Sequence, residues 1–245
     1  MITSKENPKY KKWLKLSQKK YRQKDQLFLI EGEHLVTEAK KAGMLVEVLI
    51  CEGVVFDIDA TKTYLTKPLF EKLTQTITSS GIMAVCAIRE KEIAKNNRLL
   101  LIDGVRDPGN LGTLIRSALA FGFDGIILSE DTVDIYNEKV IRATQGALFN
   151  LPIKRSNLTD DVIELQKSGT MVYATSLNQA SKEMTEILPA DRMAFIVGNE
   201  GAGVCAALVE ACCGSIIIKM ASVVESLNVG VAGSILMQHF NGLTK

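Results

Sequence analysis

The sequence has no apolar run long enough to cross a membrane. A spanning helix needs about 18 or more consecutive apolar residues, and polar or charged residues interrupt every apolar run of this 245-residue chain before that length. The first residues, Met1 to Glu6, lead into lysines without the apolar core of a signal peptide. We therefore expect a globular cytoplasmic protein with no membrane partner, and 47% hydrophobic residues are enough for a sizeable core.

Cysteine and histidine are scarce. The five cysteines form an odd set without a C-x-x-C pair, which argues against both a disulfide framework and a zinc site. His34 and His239 have no partners at metal-ligand spacing. We expect reduced thiols, mostly in the core, and no bound metal. A redox role for the adjacent Cys212 and Cys213 is a minor alternative.

The common nucleotide-binding motifs are missing as well. The chain lacks a G-x-G-x-x-G fingerprint and a G-K-[ST] phosphate loop, and the glycines at 198, 201 and 203 have the wrong order for the former. These absences argue against nicotinamide-dependent and nucleoside-triphosphate-dependent enzymes.

Positive charge is concentrated at the start of the chain, although the net charge is only +1. The first 24 residues contain nine Lys or Arg and one acidic residue, interleaved with Tyr10, Trp13 and Tyr21. Such a block suits a polyanion, with phosphates on the cations and unstacked bases on the rings, and RNA is the natural candidate. Equally, it suits a solvated, partly helical face with Trp13, Leu14 and Leu16 folded onto the domain.

The apolar pattern predicts two α/β domains, divided near residue 97 in the polar stretch 90–98. The predicted domains are 1–97, which carries the basic N-terminal segment, and 98–245. Strands are predicted at 27–30, 46–51, 82–88, 99–103, 125–128, 171–175, 194–197 and 215–219. Helices are predicted at 33–42, 68–73, 111–121, 138–147, 160–167, 206–211 and 228–240.

Three polar segments follow apolar runs of the second domain, where a parallel sheet places its binding site. They are Asp107-Pro108-Gly109-Asn110-Leu111-Gly112 leading to Arg116, Gly198-Asn199-Glu200-Gly201-Ala202-Gly203, and Ser226-Leu227-Asn228-Val229. Pro108 suits a turn or the first position of a helix, and Gly109 and Gly112 allow close approach of a ligand.

With these three segments in this order, residues 99–245 resemble the SpoU (TrmH-like) family of RNA 2′-O-ribose methyltransferases, in the SPOUT superfamily. The segment Phe28-Leu29-Ile30-Glu31-Gly32-Glu33-His34-Leu35-Val36 also resembles the start of the L30e-like substrate-binding domain that precedes the catalytic domain in many members. The resemblance implies an α/β catalytic domain with a parallel sheet and a C-terminal trefoil knot, plus the smaller L30e-like domain.

The resemblance also implies the chemistry. S-adenosylmethionine would be bound mainly by backbone groups at Gly198, Ile218 and Leu227, with Thr175 to Leu177 lining the site. In the catalytic set, Arg116 would activate the ribose 2′-hydroxyl, directly or through a nearby phosphate. Asn110 would order the loop and RNA, Glu200 would orient Arg116 or neighbouring backbone, and Ser226 with Asn228 would position loop and substrate. Family members commonly dimerise through the knotted domain, and here the helix ending near Phe240 could form part of that interface or belong to the core.

Other interpretations remain open. Singly, these polar residues could be turn, cap or surface residues. The chain could be a non-catalytic RNA-binding or ribosome-assembly protein, a tRNA 2′-O-methyltransferase or a base methyltransferase; the two-domain layout favours ribosomal RNA. Lys219 and Ser222 replace the proline and glycine of many relatives, which leaves cofactor affinity open, and Glu225 could organise the pocket or face solvent.

Overall fold

The computed structural model describes residues 1–76, 78–177, 180–221 and 223–242. The chain forms two compact units: unit 1 comprises Met1–Arg89 and Asp134–Asn150, and unit 2 comprises Glu90–Val133 and Leu151–Lys245. In chain order, the elements are α1 (Pro8–Lys15), α2 (Lys19–Asp25), β1 (Leu27–Glu31), α3 (Glu33–Lys41), β2 (Leu45–Cys51), β3 (Lys62–Leu65), α4 (Lys67–Leu73), β4 (Ile82–Ala87), β5 (Arg98–Ile102), α5 (Pro108–Ala120), β6 (Gly125–Leu128), α6 (Glu138–Thr144), a 3-10 turn (Ala147–Phe149), β7 (Ile153–Arg155), α7 (Leu158–Lys167), β8 (Met171–Thr175), β9 (Lys182–Glu183), a second 3-10 turn (Met184–Glu186), β10 (Met193–Val197), α8 (Ala206–Ala211), β11 (Gly214–Ile217) and α9 (Val229–His239).

Unit 1 is built on a four-stranded sheet of order β1-β4-β2-β3. Strands β1 and β2 pair antiparallel with β4, and β3 runs parallel to β2. Helix α1 begins where Asn7 caps its first N–H groups and Pro8 occupies the first turn, a common helix start. The unit therefore has the α/β character that the alternating pattern predicts.

The aromatic residues of α1 lie in the core of unit 1. Tyr10 is 0% and Trp13 3% exposed, and the Tyr10 hydroxyl donates a hydrogen bond to the Leu69 carbonyl at 3.0 Å. Leu16 is also buried, whereas Leu14 is 37% exposed. Of the two interpretations of this basic segment, the structure therefore favours the one in which Trp13 and Leu16 fold onto the domain, because the apolar core of unit 1 takes the rings of Tyr10 and Trp13.

The segment 134–150 packs as part of unit 1, although it lies far beyond residue 97 in sequence. Asp134 forms an ion pair with the buried Arg22 at 2.5 Å, and the ring of Tyr136 lies 4.6 Å from that of Phe28. Conversely, Ile93 precedes residue 97 in sequence but packs against the core of unit 2. The compact units therefore differ from the division predicted at 97, because tertiary packing returns one helix of the second half to unit 1.

Unit 2 is built on a seven-stranded sheet of order β7-β6-β5-β10-β8-β11-β9. All six strand pairs are parallel. The central strands β6 and β10 are buried along their whole length, as expected for a parallel sheet covered on both faces. This confirms the predicted α/β class with a parallel sheet; the trefoil knot stays a prediction.

Three short strands and the two N-terminal helices were not predicted as separate elements. Strands β3, β7 and β9 have only two to four residues and contain lysines, so they show no apolar run. Each pairs with a single neighbour at a sheet edge. These segments become strands because they pair with the sheet. Their own residue pattern does not predict a strand.

The cysteines are more exposed than predicted. Cys51 and Cys86 are buried, but Cys205 and Cys213 are exposed and Cys212 is half-buried, so the expectation of mostly core thiols is wrong. All five are free thiols. Burial, with a smaller effect of Cys213, raises the pKa of Cys212 to about 12, which keeps that thiol protonated at neutral pH and argues against a redox pair.

Candidate active site

Four loops of unit 2 meet at one edge of its parallel sheet. Strands β5, β10, β8 and β11 are consecutive neighbours and run in the same direction, so their carboxyl ends lie side by side. The three polar segments follow β5, β10 and β11. The sheet thus assembles residues that are more than a hundred positions apart in the chain, at the edge where α/β folds bind ligands.

The loop after β5 is held by side-chain caps at both ends. Gly104, at φ +67°, donates its N–H to the hydroxyls of Ser129 at 2.8 Å and Thr132 at 3.2 Å. Asp107 caps α5 by accepting the Asn110 N–H at 2.8 Å. These bonds fix the direction in which Asn110 leaves the loop.

Asn199 connects the loop after β10 to the loop after β5. Its Oδ1 accepts the N–H groups of Gly201 at 2.9 Å and Ala202 at 3.1 Å, and its Nδ2 donates to the Gly104 carbonyl at 2.7 Å. Asn199 is not among the predicted site residues. Its place between an apolar strand and a glycine turn, where asparagine commonly bonds local backbone, was the available signal.

Gly198 is required by close backbone packing. A Cβ atom at this position would lie 2.1 Å from the carbonyl carbon of Gly203, far inside contact distance. Gly203 itself has φ +71°, and open space lies where its Cβ would be. Across the loop, Asp103 accepts the Cys205 N–H at 2.8 Å. The glycine turn is therefore folded back on itself and leaves its outer backbone accessible.

Three predicted site residues form one hydrogen-bonded chain. Asn110 Nδ2 donates to Glu200 Oε1 at 3.0 Å, and Asn228 Nδ2 donates to Asn110 Oδ1 at 2.8 Å. Asn228 also caps α9, accepting the N–H groups of Gly230 at 2.9 Å and Val231 at 3.2 Å. One side chain from each polar segment thus contributes to a single network.

Glu200 also receives backbone donors from the loop after β5. The N–H groups of Arg106 and Asp107 donate to its carboxylate at 3.3 and 3.2 Å. Burial raises the pKa of Glu200, but the hydrogen bonds from the Asn110 side chain and from backbone N–H groups outweigh that effect and hold the pKa below its ordinary value. Glu200 is therefore ionised at neutral pH and orients the neighbouring backbone.

Arg116 stands apart from this network. It lies on α5 about two turns after the cap and is exposed, with no hydrogen bond or ion pair to any other described residue. Glu200 was predicted to orient either Arg116 or the neighbouring backbone. The observed hydrogen bonds go to the backbone N–H groups of Arg106 and Asp107. Ser226 and Glu225 are exposed as well. The guanidinium of Arg116 is thus free to meet a ligand.

The candidate cofactor residues lie on the same loops. Thr175 ends β8, and its hydroxyl donates to the Ile196 carbonyl at 3.0 Å. Ile218 and Leu227 are half-buried and flank the third segment. Lys219 pairs with Glu183 at 2.9 Å, and that hydrogen bond raises the pKa of Lys219. Ser222 lies outside the described residues. Half-buried apolar side chains beside an open glycine turn suit an adenosine ring and a polar amino-acid tail.

Fold and site together define an α/β enzyme with its ligand site at the carboxyl ends of a parallel sheet. In the described part of the chain, no helix is long and apolar enough to cross a membrane, and no cluster of three or more His, Cys, Asp or Glu side chains could hold a metal ion.

Comparison with known proteins names the class. Residues 97–238 match the SpoU rRNA Methylase family, and residues 7–84 match the MRM3-like substrate binding domain. The 23S rRNA (guanosine(2553)-2′-O)-methyltransferase RlmP of Bacillus subtilis is 44% identical, over 98% of this chain and 99% of the relative. A solved AdoMet-bound rRNA methyltransferase from Sinorhizobium meliloti is 28% identical with a TM-score of 0.84, covering 96% of this chain and 95% of that one. A solved RNA 2′-O ribose methyltransferase is 27% identical with a TM-score of 0.82, covering 97% and 96%.

The chain belongs to the SpoU rRNA methylase family. It is an RNA 2′-O-ribose methyltransferase, and its cofactor is S-adenosylmethionine.

Proposed function

We propose that this protein methylates the ribose 2′-hydroxyl of a guanosine in 23S ribosomal RNA. The observation that carries the proposal is the 44% identity to RlmP over nearly the full length of both chains, since RlmP is named for that nucleotide and that reaction. The matched substrate-binding domain at residues 7–84 supports a large RNA substrate. We assign residues 1–97 to RNA binding and 98–245 to catalysis, and place the protein in the cytoplasm.

Arg116 is the proposed activating residue. Ribose hydroxyls are weakly acidic, so transfer needs a group that stabilises the developing oxyanion or removes its proton. A guanidinium keeps its own proton near neutral pH. Arg116 therefore acts by holding the 2′-hydroxyl, or an adjacent phosphate that takes its proton. Its exposure and lack of partners among the described residues leave it free for this task.

Asn110, Glu200 and Asn228 are proposed as positioning residues. Their hydrogen-bonded chain links the three loops, so a substrate contact with Asn110 or Asn228 is made from a fixed position. Methyl transfer depends on an in-line arrangement of oxygen, methyl carbon and leaving sulfur, which makes such rigidity valuable. Ser226, exposed beside this chain, is proposed to contact the RNA.

Gly198, Ile218, Leu227 and Thr175 are proposed to hold S-adenosylmethionine. When bound, the cofactor supplies an electrophilic methyl group on a sulfonium. Gly198 lets the loop fold back on Gly203 and exposes its backbone, while Ile218 and Leu227 offer apolar contact. Thr175 orders the end of β8 by its bond to Ile196.

A homodimer through α5 and α9 is also proposed. Leu236 and Phe240 belong to the monomer core, but Val231 on α9 is 47% and Leu119 on α5 is 38% exposed. The two helices pack closely, since a Cβ at Gly233 would lie 2.3 Å from a methyl of Leu114. Sedimentation at working concentration should show twice the 26.8 kDa monomer mass; a purely monomeric species contradicts this part of the proposal.

The test is methyl transfer from labelled S-adenosylmethionine to unmodified 23S rRNA, with nucleoside analysis of the product. We expect 2′-O-methylguanosine at one site, and no product when that nucleotide is replaced by 2′-deoxyguanosine. Labelling of tRNA alone would favour the tRNA alternative, and a methylated base would refute ribose methylation. Cofactor and RNA binding without transfer to either RNA would favour a non-catalytic RNA-binding protein.

A further inference from the structure

Unit 1 contains a cleft that the sequence analysis did not assign. Its internal volume is about 80 Å³. A cavity needs about 10–15 Å³ by this measure to hold one water molecule, so the cleft is several times larger than a single-water site. The lining residues come from α2, β1, α4, β4 and α6 and the segments beside them, and all of them belong to unit 1.

The lining combines apolar surface with hydrogen-bonding side chains. Leu29 is half-buried and offers contact to a flat ring, while Ile30 and Ile141, which also line the cleft, are only 2% and 1% exposed. Glu138 and Arg142 lie on the same helix, and neither has an ion-pair partner in the described ranges. An apolar slot with donors and acceptors at its edges is the pattern by which proteins read an unstacked base.

Arg22 forms a fixed, largely buried part of the wall. Its guanidinium donates to the carbonyls of Leu16 and Ser17, each at 2.8 Å, and to Asp134. Its Nε is buried and finds no acceptor among the described residues. Because that Nε has almost no exposed surface, it offers no donor to an occupant of the cleft, and Arg22 acts instead by fixing the wall.

The interior of the cleft disfavours phosphate. Burial raises the pKa of Glu31, but hydrogen bonds from Ser79, Thr74 and Thr76 outweigh it and hold the pKa below its ordinary value, so Glu31 is ionised at neutral pH. Glu138 adds a second carboxylate to the lining. A neutral base with polar edges suits such a lining better than an anion.

Exposed cations follow and precede the cleft wall in sequence. Leu16, Ser17 and Arg22 of its wall belong to the α1–α2 region, where exposed lysines surround them in sequence. We define the basic face as the exposed lysines of this region without an ion-pair partner in the described part of the chain, Lys15, Lys19, Lys20 and Lys24. Lys15 and Lys20 lie 5.4 and 4.9 Å from the centre of the Tyr21 ring.

We propose that the cleft binds one unpaired nucleobase of the RNA substrate while the neighbouring phosphates lie on the basic face. The inference rests on the proposed function, because it takes RNA as the substrate, and it adds a base-reading contact that belongs to unit 1.

The test compares two unstructured RNAs of about eight nucleotides, a length within single-strand site sizes. One is intact and the other lacks all its bases but keeps the ribose-phosphate chain. Arg142→Ala should lower affinity for the intact RNA about tenfold, as loss of a charged hydrogen bond predicts, and leave affinity for the baseless RNA unchanged. The matched control is Lys139→Ala, which removes the same charge from an exposed residue of α6 that does not line the cleft. Equal effects of both variants on both RNAs would overturn the proposal.

A direct readout uses protein labelled at isoleucine and methionine methyl groups. Methyl signals of Ile30, Met83 and Ile141 should shift with the intact RNA and stay in place with the baseless RNA. Lys15→Ala with Lys20→Ala should weaken both RNAs equally and reduce the salt dependence of binding by about 1.4 in logarithmic slope. If the cleft methyls stay in place with both RNAs, base binding in the cleft is refuted.

These binding measurements need no methyl transfer. A protein that methylates 23S rRNA but shows no base-dependent binding loses the cleft assignment alone. Base-dependent binding without methylation of any RNA leaves the cleft in place and removes the proposed reaction.

Discussion

The loops at the sheet edge of unit 2 and the basic face of unit 1 use polar residues in opposite ways. In the loops, Asn110, Glu200 and Asn228 are bonded to one another and to backbone. On the basic face, lysines remain exposed without acidic partners in the described residues, and the aromatic rings of α1 turn inward. Fixed side chains suit a reaction that needs defined geometry. Exposed cations suit binding to the phosphates of a polyanion, which needs no recognition of its base sequence.

Arg116→Ala should have the largest effect. Arg116 is the exposed cation of unit 2 that we assign to the reaction, so methyl transfer should fall at least about 100-fold, the lower range for acid-base contributions. Thermal stability and cofactor binding should stay unchanged because Arg116 has no partner among the described residues. The measurement is single-turnover methylation with calorimetry of both proteins. Retention of most activity would remove Arg116 from the mechanism.

Gly198→Ala tests the rigidity of the glycine turn. The added methyl would overlap the backbone at Gly203, so we expect a loss of stability of about 3 kcal/mol or more and loss of cofactor binding. Gly201→Ala is the control in the same loop, because the nearest atom to its Cβ is an ordinary 3.6 Å away. Denaturant unfolding of both variants measures the difference. Similar stabilities would show that the turn can rearrange.

Asn228 has two separable tasks. Asn228→Ala removes the cap of α9 and should cost about 1–2 kcal/mol of unfolding free energy. Asn228→Asp keeps a capping oxygen but cannot donate to Asn110, so stability should be largely retained while kcat falls. Parallel losses of stability and activity in both variants would instead assign Asn228 a purely structural role.

The basic face should show a smaller effect, confined to binding. Lys19→Ala with Lys24→Ala should raise KM for RNA a few-fold and leave kcat unchanged, and the salt dependence of binding should fall by about 1.4 in logarithmic slope. Steady-state methylation across a series of salt concentrations measures both. A drop in kcat without a change in KM would show that these lysines act in the reaction itself.

The smallest expected effect is the pH dependence of stability that the Glu200 carboxylate contributes. Since its pKa in the folded protein lies below the ordinary 4.5, its ionised form contributes stability above that pH, and the contribution is lost as the pH falls through the lowered pKa. Glu200→Gln should therefore be less stable than the wild type at neutral pH, and the difference should vanish in acid. A pH-independent difference in melting temperature would mean that the charge of Glu200 contributes nothing.

Much of unit 2 could be predicted from the sequence. Apolar runs predicted β6, β8 and α8 with their observed bounds, and Asn228 heads α9 as expected. Prediction failed where long-range packing decides the outcome. The pattern around Tyr10 and Trp13 is the same for rings that face solvent and rings that face the core, and the paired edge strands have no apolar run of their own.

The sequence by itself determined the α/β class, the order of the three polar segments and the family, because apolar periodicity and local motif chemistry are written in consecutive residues. Tertiary structure alone decided that Glu200 bonds to the backbone near Asn110 and not to Arg116, that 134–150 packs into unit 1, and that unit 1 has a cleft. Those features depend on which distant strands and helices become neighbours, and contacts between residues far apart in the chain leave no signature in local spacing.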